Sequence, residues 1–196
     1  MLKLLNRLLP RRGVAPVAGA VPTRPLRPAM EAPPPPPEVL HDTLSEWLRR
    51  VLGHLPAFER ERLQQRIANN LRYGDLPADA MINALLGDGG QQHGHWAMLH
   101  IDLSAIEEIE WQARELALAA RIHELYGWDW HEHRSRPARA ALLELHAWLS
   151  RFGYALLQMD SGRMEYCMLL VAAADVDDAV QQGARLGVSL GLLRDD

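Results

Sequence analysis

Residues Tyr154–Val171 read YALLQMD-SGR-MEYCMLLV, two apolar runs rich in strand formers on either side of Ser161-Gly162-Arg163. That pattern specifies a β-hairpin. A helical run ending at Phe152-Gly153 precedes it, so the folded body has to combine helices with a sheet. The turn itself has no GxSxG context and reads as a plain connection.

Working outward from the hairpin, helical spacing of apolar residues places a helix from Val39 to Leu52, ended before Pro56. A second helix runs from Ala57 to Leu71 with Phe58, Leu63, Ile67 and Leu71 inward, and a third from Pro77 through Leu86. Gly87-Asp88-Gly89-Gly90 reads as a flexible break. Trp96–Asp102 is the first strand, and Ser104 with Glu107 forms a capping box for a helix reaching Tyr126. In that helix Trp111 and Leu118 fall on the apolar side, leaving the acids toward water. A helix over Ala138–Phe152, the hairpin, a helix over Val176–Leu186 and a strand over Val188–Leu192 complete the chain.

The order after residue 95 is therefore β-α(α)-β-β-α-β, an α+β fold of the ferredoxin-like kind with an enlarged first crossover. Its helices are expected on one sheet face. The other face would present Trp96, Met98, Tyr154, Leu156, Tyr166 and Met168, which is too apolar to stay wet. The three additional N-terminal helices are expected to cover it; a homodimer is the alternative.

Residues 1–38 form a separate segment from the 39–196 domain. Pro22, Pro25, Pro28 and Pro33–Pro37 favour an extended, disordered arm that acts as a spacer. Its first residues, MLKLLNRLLPRR, are amphipathic over about two turns; a frayed terminus is expected, with weak peripheral contact of residues 1–12 with an anionic membrane as the alternative. No apolar stretch approaches the ~20 residues needed to span a bilayer. The expected location is cytoplasmic, with contact at the inner membrane.

Charge is unevenly distributed along the chain. Residues 1–38 carry six Lys/Arg against two Asp/Glu, whereas residues 39–196 carry fifteen against twenty-three, a net −8. An acidic body opposes nucleic-acid binding, which needs a basic footprint, and suits a basic protein partner. Cys167 is the single cysteine and lies mid-strand, where a buried, inert thiol is expected. Lys3 is the single lysine, which removes lysine-dependent chemistry from the body.

Two groups of residues are candidates for a site. Tyr126, Trp128 and Trp130 surround Asp129, and Trp and Tyr are enriched among binding hot spots. The histidines are the second group: His93, His95 and His100, with His131 and His133 further on. A metal needs three or four donors converging on one point, and HxH pairs can supply two. No HExxH or CxxC spacing is present, so no cofactor is expected.

The strand ending in HID, the helix IEEIEWQ, the run LHAWLSRFGYALLQMDSGRMEYCMLLV and the ending ARLGVSLGLL together resemble a bacterial family known only as a domain of unknown function (number 6630) over about residues 95–192. The resemblance implies the fold and brings no catalytic residue with it. The functional expectation is a non-enzymatic protein-interaction module, adaptor- or immunity-like, that binds a basic protein. The alternative is a metal-dependent hydrolase using His93, His95, His100, Asp129, His131 and His133.

Overall fold

Helix α1 (Pro37–Val51) carries Leu44, Trp47, Leu48 and Val51 at helical spacing, and all four are buried, as is Leu52 just beyond. The computed structural model describes residues 37–103, 105–123 and 137–193. These belong to a unit spanning Pro35–Asp196. Positions 1–36 of the expected 1–38 arm lie outside the described residues, and its last two, Pro37 and Glu38, belong to α1.

Helix α2 (Ala57–Arg72) follows Pro56 and turns Glu59, Leu63 and Ile67 inward. Phe58 was expected on that face but is exposed. It precedes Leu63 by five residues, about 140° around the helix, whereas Glu59 precedes it by four. The price of this phase is a buried carboxylate. Arg62 meets it at both oxygens, Nε to Oε2 at 2.7 Å and Nη2 to Oε1 at 2.5 Å.

Helix α3 (Pro77–Leu86) opens on a proline in its first turn and buries Ala80, Met81, Ala84 and Leu85. The glycine-rich stretch after it is clamped rather than a flexible break. Arg62 donates to the carbonyls of Gly89 and Gly90, and Arg66 to those of Ala84 and Asp88. A Cβ on Gly90 would stand 2.1 Å from the Leu85 carbonyl oxygen, so no other residue fits there.

Four strands follow: β1 (Met98–Asp102), β2 (Tyr154–Met159), β3 (Glu165–Ala172) and β4 (Leu190–Leu192). Between them lie α4 (Glu108–Ala119), α5 (Ala138–Ser150) and α6 (Val176–Arg185). The hairpin forms where the sequence places it: Asp160 Oδ1 accepts from the Gly162 N–H, and Gly162 takes a positive φ of 67°.

The α+β class and the order of elements along the chain are as expected. The sheet is antiparallel with spatial order β1-β3-β2-β4. Each crossover, β1 to β2 and β3 to β4, skips one strand in the same direction across the sheet. Their starting strands are antiparallel, so two right-handed crossovers place their helices on opposite faces.

The core divides accordingly. Leu99, Ile101, Leu156, Met168 and Leu170 pack with α4 and α5. Met98, Leu157, Met159, Cys167, Leu169 and Val171 pack with α1–α3 and α6. A ferredoxin-like layer with both crossover helices on one face is therefore replaced by a sheet covered on both. The N-terminal helices do cover the second face, and Trp47 Nε1 ties α1 to α6 by donating to the Ala179 carbonyl at 2.8 Å. Of the residues expected on that face, Met98 is there, whereas Tyr154, Leu156, Tyr166 and Met168 lie on the α4–α5 side. Pairing of Met98 with Leu169, one residue along from Met168, sets that phase.

Strand β1 is at an edge, yet its outward backbone groups are occupied. Gln91 Oε1 accepts from the Ala97 and Met98 N–H groups, and its Nε2 donates to the Met98 carbonyl. Gln112, buried on α4, does the same for His100: Oε1 accepts from N–H at 2.7 Å and Nε2 donates to the carbonyl at 2.8 Å. Two side-chain amides thus stand in for a neighbouring strand and close the edge to a fifth one.

Helix α4 differs from expectation at both ends. Its N-cap is Glu107, which makes no side-chain cap hydrogen bond, and Ser104 of the expected box lies outside the described residues. It stops at Ala119 because Arg121 enters the left-handed region at φ 57° and the Ile122 N–H reaches back to the Ala117 carbonyl.

Candidate functional site

Two places on the described surface gather residues that can act on something outside the chain. The first is an aromatic seam where the 93–96 loop meets α2 and α4. Helix α4 buries Ile109, Gln112, Ala113 and Leu116, which sends Trp111, Glu115 and Leu118 to the outside at i, i+4 and i+7. Trp111 and Leu118 were expected on the apolar side; they are 47% and 42% exposed.

Trp96 from the loop stands edge-on to Trp111, with ring centroids 5.0 Å apart. His95 stands edge-on to Phe58 at 5.3 Å, and Phe58 is 63% exposed. Gly94 runs directly beneath Leu118, where a Cβ would lie 3.6 Å from Leu118 Cδ2. The 93–96 loop thus carries two edge-on ring pairs, Phe58–His95 and Trp96–Trp111, with Leu118 over Gly94.

Glu115 holds the loop to α4. Its Oε2 accepts from the Gly94 N–H and its Oε1 lies 2.8 Å from His93 Nδ1. The loop is thus tied to α4, whose outer face is acidic. His54 closes the inner side: its Nε2 lies 2.8 Å from the Trp96 carbonyl, while its Nδ1 is shut off from solvent without a partner. The residue as a whole is partly exposed, but Nδ1 is enclosed and Nε2 is taken up by the Trp96 carbonyl. Burial pushes its pKa down to about 4, so at neutral pH it is an uncharged donor to Trp96.

The second place is on β1 and β3. Cross-strand register sets His100 opposite Cys167 and Asp102 opposite Glu165. His100 Nε2 lies 2.9 Å from Glu165 Oε2, and Cys167 Sγ lies 3.7 Å from Glu165 Oε1. Burial opposes ionisation of Glu165, but hydrogen bonds from His100 and Ser161 outweigh it and hold the carboxyl below its usual range. Burial, with the Glu165 charge beside it, pushes the Cys167 thiol up to about 12. At neutral pH the sulfur is therefore a protonated thiol rather than a nucleophilic thiolate.

The residues singled out in the sequence distribute as follows. Tyr126, Trp128, Asp129, Trp130, His131 and His133 lie outside the described residues. His93 and His95 belong to the aromatic seam, and His100 to the strand pair, so among the described residues these three do not converge. Sequence reading missed Phe58, Trp111 and Leu118 as surface groups. The stripe at 111, 115 and 118 was the available signal, since it opposes the stripe at 109, 112 and 116 on the same helix. It also missed Glu165 and Cys167 as neighbours of His100, because nothing in the sequence states which strand β1 pairs with. Among the described residues no helix is long and apolar enough to cross a membrane.

The family described as Domain of unknown function (DUF6630) matches residues 32–193. The match takes in α1–α3 as well as the sheet, in keeping with the core that these helices share with it. No curated protein and no solved structure matches the chain.

Proposed function

We propose that this chain, which belongs to that family, is a non-enzymatic, adaptor-like protein-interaction module whose aromatic seam docks a basic segment of a partner protein. The observation that carries the reading is the exposure of Phe58, Trp111 and Leu118 around the 93–96 loop, where Phe58 pairs with His95 and Trp111 with Trp96. Large aromatics on a fixed scaffold supply much of the binding energy at protein interfaces. The partner's sign follows from the net −8 of residues 39–196: charge of opposite sign speeds association and excludes acidic competitors. The separation of His93 and His95 from His100 supports binding over a hydrolase centre built on all three. A cytoplasmic setting belongs to this proposal.

The test is affinity capture with the full chain and with a Phe58→Ala/Trp111→Ala variant. Both side chains are largely at the surface, so circular dichroism of the variant should match the parent. A basic protein recovered in stoichiometric amount with the parent, lost from the variant and weakened by salt, is the expected result. Equal recovery by both, or no stoichiometric partner, refutes the reading.

A further inference from the structure

We infer that His100, Glu165 and Cys167 form a binding site for one thiophilic divalent cation of the zinc class. This site lies apart from the aromatic seam, and the inference does not depend on the docking reading.

The site follows from strand geometry. Antiparallel pairing sets His100 directly across from Cys167, and a two-residue period brings Glu165 onto the face that carries Cys167. One nitrogen, one oxygen and one sulfur donor thus project from two paired strands, and their ligating atoms all lie within 4.8 Å of one another. A tetrahedral cation with bonds of about 2.0–2.3 Å places its donors roughly 3.3–3.8 Å apart. Cys167 Sγ lies 3.7 Å from Glu165 Oε1 and His100 Nε2 lies 2.9 Å from the other oxygen, Oε2, so a cation held by one oxygen needs the carboxylate to turn and the imidazole to move outward by a few tenths of an ångström or more.

The donor set selects the ion. Imidazole, carboxylate and thiolate together suit zinc or cobalt, whereas magnesium and calcium take oxygen ligands. Cys167 is buried while His100 is about one-third exposed, so the site is closed on the sulfur side and open on the imidazole side. That leaves a fourth position facing solvent, as three-ligand zinc sites have. Coordination replaces the thiol proton, which leaves to solvent. Held on strands rather than loops, the three donors keep their spacing before the ion arrives.

The experiment titrates the full chain, purified without a histidine tag and stripped with chelator, with Co²⁺ under reducing conditions. One Co²⁺ per chain, with tetrahedral visible bands and a sulfur-to-cobalt charge-transfer band, is expected, and Zn²⁺ should displace it. Cys167→Ala should abolish the charge-transfer band. Loss of outer-shell partners alone costs roughly 10–100-fold in metal affinity, so loss of this ligand should weaken Zn²⁺ at least about 100-fold. Glu165→Gln, a near-isosteric change, provides a second variant should Cys167→Ala fail to fold, and it should weaken Zn²⁺ by at least about tenfold. Absence of saturable Co²⁺ binding, absence of the charge-transfer band, or unchanged affinity in the variants overturns the site.

Discussion

Replacing His54 with glutamine should flatten the acid dependence of stability. In the folded chain the imidazole is held neutral, with its Nε2–H donating to the Trp96 carbonyl and its Nδ1 enclosed. Burial lowers its pKa from 6.5 to about 4. Between those values the unfolded chain binds a proton that the folded chain does not, so stability falls as pH falls. A pKa that differs by one between the folded and unfolded chain corresponds to about 1.36 kcal/mol. Integrated over the titration, His54 should cost the parent about 2 kcal/mol between pH 7.5 and pH 5, rising to about 3 kcal/mol below pH 4. The glutamine of His54→Gln offers an amide donor at a similar reach and does not titrate. Urea unfolding followed by circular dichroism at half-unit intervals from pH 7.5 to 5 reads the difference. His146, whose pKa burial also lowers, acts in the same direction in both proteins and cancels in the comparison. If His54→Gln loses stability with falling pH as steeply as the parent, the enclosed-imidazole argument is wrong.

Three further outcomes can be checked by the same denaturation assay at neutral pH. Gln112→Ala removes both hydrogen bonds to the His100 backbone and should cost about 1–3 kcal/mol; no loss would mean that water satisfies that edge equally well. Arg62→Ala leaves the Glu59 carboxylate buried without its guanidinium and should cost about 3–5 kcal/mol, most of it recovered in an Arg62→Met/Glu59→Met double variant. Arg121→Gly relieves a left-handed residue at the end of α4 and should stabilise by up to about 1 kcal/mol.

The sequence made local elements legible where periodicity and punctuation agreed. Proline at the start of α3 and glycine in the hairpin turn marked their positions without tertiary information. Phase was less legible. Phe58 looked like a core residue by type, but the face it would share is claimed by Glu59, and only the Arg62 fork makes a buried carboxylate tolerable there. Trp111 misled in the same way, since a tryptophan is read as interior until the buried stripe beside it is counted.

Spatial order was not legible either. Whether β4 joins β1 or β2 depends on which sheet edge is open, and the β1 edge is taken by Gln91, from the loop just before it, and Gln112, from the helix just after it. Such side-chain-to-backbone pairing has no periodic signature. The meeting of His100 with Glu165 and Cys167 was hidden for the same reason, because it exists only once β1 has paired with β3.

The central functional claim is that the seam at Trp111 contacts a basic partner. A photo-crosslinking amino acid introduced at position 111 of the full chain, in its native cell, tests this most directly. A second chain labelled at position 164 is the control, since Met164 is 83% exposed and adjoins Glu165, which pairs with the far end of β1. A discrete adduct to one basic protein from position 111, and none from position 164, is the expected result. No adduct from position 111, or the same adduct from both positions, would contradict it.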